Sequence, residues 1–135
     1  MKKRTAAMLI CLVSGLATVA MADDQEFIGL MKKTGGTVGK LRKEVEAKAY
    51  PDVAKDATEL AEIFKSVEEY FAKSHTDDAV AMAQSAQAVA KQLATAAGSG
   101  DADGVANTMK GVQASCAGCH TAHREKLPEG GYKIK

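Results

Sequence analysis

The 135-residue sequence has no tryptophan, and aromatic residues make up only 4% of it. Rings therefore cannot supply most of a core, and the alanine that crowds the periodic segments leaves room for a neighbour or a large group. Neither charge sign dominates: 18 basic residues face 17 acidic ones, a formal net charge of +1 that gives no footprint for nucleic acid. No segment alternates with the period of a strand, so neither a sheet nor a second domain is expected. The one long apolar run, "AAMLICLVSGLATVA", is too short and too poorly flanked to read as a membrane span. Cysteine occurs three times, as Cys11, Cys116 and Cys119, too few and too closely spaced for a disulfide framework.

Lys2, Lys3 and Arg4 precede that run, and "AMA" at 20–22 supplies small residues for a cut, so residues 1–22 read as an export signal that is removed. Cys11 lies inside the run behind bulky Ile10, which argues against lipidation. The signal carries three cations and no acid, so its loss takes the net charge from +1 to −2. The expected exported protein is periplasmic, has no membrane span, and comprises one domain over 23–127 with a flexible basic tail over 128–135.

Within that domain the apolar positions recur with alternating spacings of four and three. Phe27, Met31, Val38, Leu41 and Val45 mark a first helix, with Thr34 in the missing place. Gly35, Gly36 and Gly39 weaken it by about 1 kcal/mol each relative to alanine, and suit close approach by a ligand. Pro51 opens a second helix carrying Val53, Ala57, Leu60, Phe64, Val67 and Phe71. Thr76 is placed to cap a third helix whose stripe reads Ala79, Met82, Ala86, Val89, Leu93 and Ala96. Gly98 suits its end, and Asp101 suits the next N-cap. Val105, Met109, Val112, Cys116, Cys119 and His123 follow on a fourth helix that Pro128 and "EGG" terminate. Four amphipathic helices with short connections imply an all-α, antiparallel up-down-up-down bundle.

The chemistry lies in "ASCAGCHTAHREK", where Cys116, Cys119 and His120 form C-x-x-C-H, the attachment signature of c-type haem. Two cysteines three apart on a helix project to one side, where their thiols add across two vinyl groups of one porphyrin. His120, the next residue, supplies a neutral imidazole as proximal iron ligand. Three other readings compete. A thioredoxin-like pair wants a βαβ context and a helix N-terminus, and has neither here. A zinc site from Cys116, Cys119, His120 and His123 requires one helical face to encircle a metal. Buried cysteines as small apolar fillers leave the adjacent histidine unexplained.

A haem motif near the C-terminus of a four-helix bundle resembles the class II cytochromes c, the cytochrome c prime family. The likeness spans residues 24–126, and its most specific part is "CAGCHTAHR", similar to the family's C-x-x-C-H-x-x-x-R with Arg124 one turn after His120. The resemblance implies one covalent haem c, Arg124 as a cofactor-binding residue, and a distal residue on the first helix. That residue is methionine in low-spin, six-coordinate members and apolar in five-coordinate ones. Met31 is the candidate methionine; Ile28 and Leu30 are the apolar alternatives. Where many members have an early arginine facing a propionate, this chain reads "DDQEF", leaving Lys32, Lys33 or Arg42 as substitutes. His123 stands where an aromatic is usual and is expected to pack beside the porphyrin, and His75 reads as an exposed connector residue.

The leading expectation is a monohaem electron carrier serving redox partner proteins, not an enzyme, since no nucleophile or acid–base pair accompanies the motif. The alternative is a five-coordinate module that binds nitric oxide or carbon monoxide, and a minor one is a non-haem thiol protein. The resemblance also implies pairing of two copies through the first two helices.

Overall fold

The computed structural model describes the backbone of residues 15–135 and the side-chain surroundings of residues 24–135. The expected export segment, 1–22, lies outside the described residues except for the backbone of 15–22, which is helical. Four helices follow in order: α1 (Gly15–Glu46), α2 (Tyr50–Lys73), α3 (Asp77–Gly98) and α4 (Ala102–His123). Each packs on its successor, α2 against α3 most extensively, whereas α1 touches α4 only sparsely. The chain is an all-α four-helix bundle, and among the described residues no helix is long and apolar enough to cross a membrane.

One device closes all three connections. Ala49 N–H donates to Glu44 O, Thr76 N–H to Phe71 O and Asp101 N–H to Ala96 O, the long bond of a Schellman motif. The residue before each donor takes the left-handed conformation this motif requires: Lys48 at φ 54°, His75 at φ 54° and Gly100 at φ 69°. The glycine that turns the α3–α4 connection is thus Gly100 and not Gly98, which ends the helix. Thr76 makes no side-chain cap; its hydroxyl pairs with that of Ser74 at 2.9 Å, and Asp77 and Asp78 occupy the first turn of α3. Asp101 does cap α4, accepting from Gly104 N–H at 2.9 Å.

All six residues of the expected α2 stripe are buried. On α3 the inward face is rotated: Ala83, Ala90 and Ala97 are buried with Ala79, Ala86 and Leu93, while Met82, Val89 and Ala96 are only half-buried. Three of the few aromatics gather at one end, where Phe27 lies 4.4 Å from Tyr70 and 5.4 Å from Phe71 between ring centroids. Tyr70 also donates to Asp24 Oδ1 at 2.8 Å, fixing the described start of α1 against the end of α2. Asp56 is a buried carboxylate between α1 and α2, 2.6 Å from Lys40 Nζ.

The chain beyond α4 departs from the expectation of a tail without strands. Arg124–Lys126 (β1) pairs antiparallel with Tyr132–Ile134 (β2) through a turn in which Gly130 and Gly131 both have positive φ, 98° and 82°. Two glycines in that region supply a conformation that residues with a side chain resist, and Ile134 then anchors the returning strand against the core.

Candidate functional site

Asp101 opens α4, and the contact between α3 and α4 sets the helix's rotation. A Cβ on Gly111 would lie 3.0 Å from Val89 Cγ1, so the Gly111 side of α4 is pressed onto α3. At about 100° per residue, His120, nine positions later, points about 180° away from that contact. It therefore lies on the flank turned from α3 towards the α1 side. Cys116 and Cys119 lie between these directions, half-buried, with Cys116 packed against the core.

The facing flank of α1 follows from its ion pairs. Lys33 Nζ sits 2.9 Å from Glu59 Oε1, and Lys40 is held by Asp56, so these lysines mark the side turned to α2. Ile28, Met31, Gly35 and Arg42 lie within about 40° of the direction opposite Lys33. A Cβ added at Gly35 or Gly39 would meet no atom within 4 Å. Ile28 is 39% exposed, and Leu30 and Met31 are half-buried against the core. The α1 flank turned towards α4 thus carries Ile28, Met31 and Arg42 with open space at Gly35 between them, and α4 presents two thiols and an imidazole.

Electrostatics follow from this half-burial. Burial raises the Cys116 thiol pKa against a smaller lowering by the Arg42 charge; burial, Cys116 and Asp78 all raise that of Cys119. Both thiols therefore stay protonated at neutral pH, the reverse of the activated thiolate a disulfide oxidoreductase needs. Their place in the last turns of α4, at the negative end of the helix dipole, argues the same way. Burial, then the Arg124 charge, lowers the His120 pKa, so its imidazole is neutral and able to donate to a metal. Among the described residues no three His, Cys, Asp or Glu converge as a metal cluster.

The remaining candidates separate. Arg124 is exposed, with its guanidinium carbon 3.9 Å from the Tyr132 ring centroid. His123 turns from the seam: its ring lies 5.7 Å from that of Phe71, and Nε2 is 2.9 Å from Asp78 Oδ2. His75 is exposed and serves as a left-handed cap. Of the proposed propionate partners, Lys33 is taken by Glu59 on the α2 side, and Lys32 is exposed. Arg42 is exposed on α1, and its charge opposes the rise of the Cys116 thiol pKa. Asp78 and Tyr132 were not legible as site neighbours: one lies in the first turn of α3, far along the chain from the motif, and the other falls in the expected tail.

Half-buried thiols one turn apart, a neutral imidazole beside them and open space at Gly35 on α1 fit a planar group tethered through sulfur. A family model described as Cytochrome C′ matches residues 25–124. No curated protein and no solved structure matches the chain. The matched region holds all four helices from the described start of the α1 side chains to Arg124, and with it the C-x-x-C-H turn: the chain belongs to the cytochrome c′ family.

Proposed function

We propose that this c-type cytochrome is a periplasmic carrier of single electrons between protein partners, holding one haem c. Cys116 and Cys119 would bind it through thioethers, His120 would be its proximal ligand and Arg124 would face its carboxylates. The group supplies reversible one-electron chemistry; the chain orients it, excludes water from one face and sets the charge around it. The proposed role is carriage, not catalysis.

One observation carries the reading: Met31 and His120 occupy the facing flanks of α1 and α4. Met31 is the only methionine, histidine or cysteine between residues 24 and 46, so among the described side chains of α1 it is the only soft or imidazole donor. A thioether opposite an imidazole favours the reduced state and keeps the centre low-spin, which suits fast electron exchange. The test is the absorption spectrum of the matured protein. The carrier reading expects a low-spin ferric form with a methionine-to-iron band that Met31→Ala abolishes. A ferrous form that is high-spin before and after that substitution would overturn it.

The exposure of Ile28 on the same flank supports the second reading, in which an apolar side chain covers the distal face and a small neutral gas binds there. Carbon monoxide binding by unmutated ferrous protein, weakened by Ile28→Phe, is the outcome that reading requires.

A further inference from the structure

The C-terminal hairpin begins where the family match ends, and it is joined directly to the turn that bears the proximal ligand. Arg124 N–H donates to His120 O, and Lys135 N–H donates to His123 O at 3.0 Å, so both strands are sewn to the last turn of α4. Inside the hairpin, Arg124 pairs in register with Ile134 and Lys126 with Tyr132. Leu127 N–H donates to Gly131 O and Gly130 N–H to Leu127 O, both at 3.1 Å, which closes the turn. Ile134 packs against the core, so the ladder has one buried anchor.

This scaffold puts the Tyr132 ring under the Arg124 guanidinium, 3.9 Å from carbon to centroid. Stacking occupies the face of the guanidinium and leaves its donors, which lie in the plane, free for a carboxylate. None of the ion pairs among the described residues uses Arg124, so no described carboxylate of the chain pairs with its charge. An exposed arginine would otherwise sample many rotamers, and its average field at His120 would be weak.

We propose that Tyr132 is a positioning residue for Arg124, holding, one turn from His120, a cation that no described carboxylate of the chain pairs with, and thereby raising the reduction potential of the site. This rests on the haem reading above. Reduction removes one positive charge from the centre, so a cation fixed nearby favours the reduced state; a cation swinging in solvent does so less.

The experiment uses matured holoprotein and measures midpoint potential as a function of salt for four variants. Arg124→Gln is expected to lower the potential, and Tyr132→Ala to lower it in the same direction. Tyr132→Phe, which keeps the ring, should retain the original value. The double variant should fall no further than Arg124→Gln alone, and each shift should shrink as salt rises. A Tyr132→Ala protein with unchanged potential, beside an Arg124→Gln protein that shifts, overturns the proposal. So does a Tyr132→Ala shift of equal size in the Arg124→Gln background. Circular dichroism on each variant separates these outcomes from unfolding. Failure of the haem reading has a different signature: no covalent haem mass on the unsubstituted protein.

Discussion

Gly111 of α4 lies so close to Val89 of α3 that an added Cβ would stand 3.0 Å from Val89 Cγ1. That contact seats the Val89 side chain against the α4 backbone and, through the helix period, turns His120 towards the α1–α4 seam. Gly111→Leu should therefore destabilise the bundle by about 1–3 kcal/mol, the usual cost of overpacking, despite leucine's better helix propensity. Urea unfolding of the unloaded chain measures this.

Gly35 offers the opposite case, because a Cβ there meets nothing within 4 Å. Gly35→Leu should leave the unloaded bundle as stable as before, or up to about 1 kcal/mol more stable. Yet the leucine would stand in the seam opposite the thiols, and covalent haem per chain should drop several-fold. Full occupancy in that variant would place the porphyrin elsewhere.

Lys48 and His75 hold φ of 54° at Schellman positions where glycine carries no steric penalty. Lys48→Gly and His75→Gly should each stabilise the fold by up to about 1 kcal/mol. The haem spectrum should not change, since neither side chain reaches the seam. Thermal unfolding and an absorption scan on the same samples check both halves.

Glu44 Oε2 is buried without a hydrogen-bond partner beside buried Asp56. Burial first, then the Asp56 charge and a hydrogen bond to it, raise the Glu44 pKa above 4.5, with Lys40 opposing and Asp52 adding to the rise. The folded state thus keeps a proton that the unfolded chain releases. That stabilising effect is complete below pH 4.5 and is lost as pH rises through the elevated folded value. Glu44→Gln should flatten this dependence and be more stable than the parent at pH 7. Denaturation series from pH 4 to 8 would show the two curves converging in acid.

Where the sequence was readable, period explains why. On α2, large apolar residues alternate with charged ones, so only one face can turn inward, and the stripe from Val53 to Phe71 is that face. On α3, alanine lies on several sides, and composition does not distinguish Ala83 from Met82; the close approach at Gly111 decides the rotation. The C-x-x-C-H turn was legible because its chemistry depends on local spacing alone. The seam opposite it was only half legible: three glycines hinted at an approach, but that Gly35 shares a flank with Arg42 follows only once the ion pairs of Lys33 and Lys40 fix the side turned to α2. Asp56 was not legible as a buried carboxylate, because nothing local reveals that a neighbouring helix covers it. The hairpin escaped because strands of three residues show no period, although two adjacent glycines supplied its turn.

The sparse contact between α1 and α4 has a kinetic consequence. Helices α2 and α3 are each packed on two sides, whereas α1 is secured by α2 alone and α4 by α3 alone. Backbone amides of α1 in the unloaded chain should exchange with deuterium through a partial opening of lower free energy than global unfolding, while those at the α2–α3 junction wait for the whole molecule to come apart. Bridging the two outer helices with a covalent ligand would erase that difference in protection.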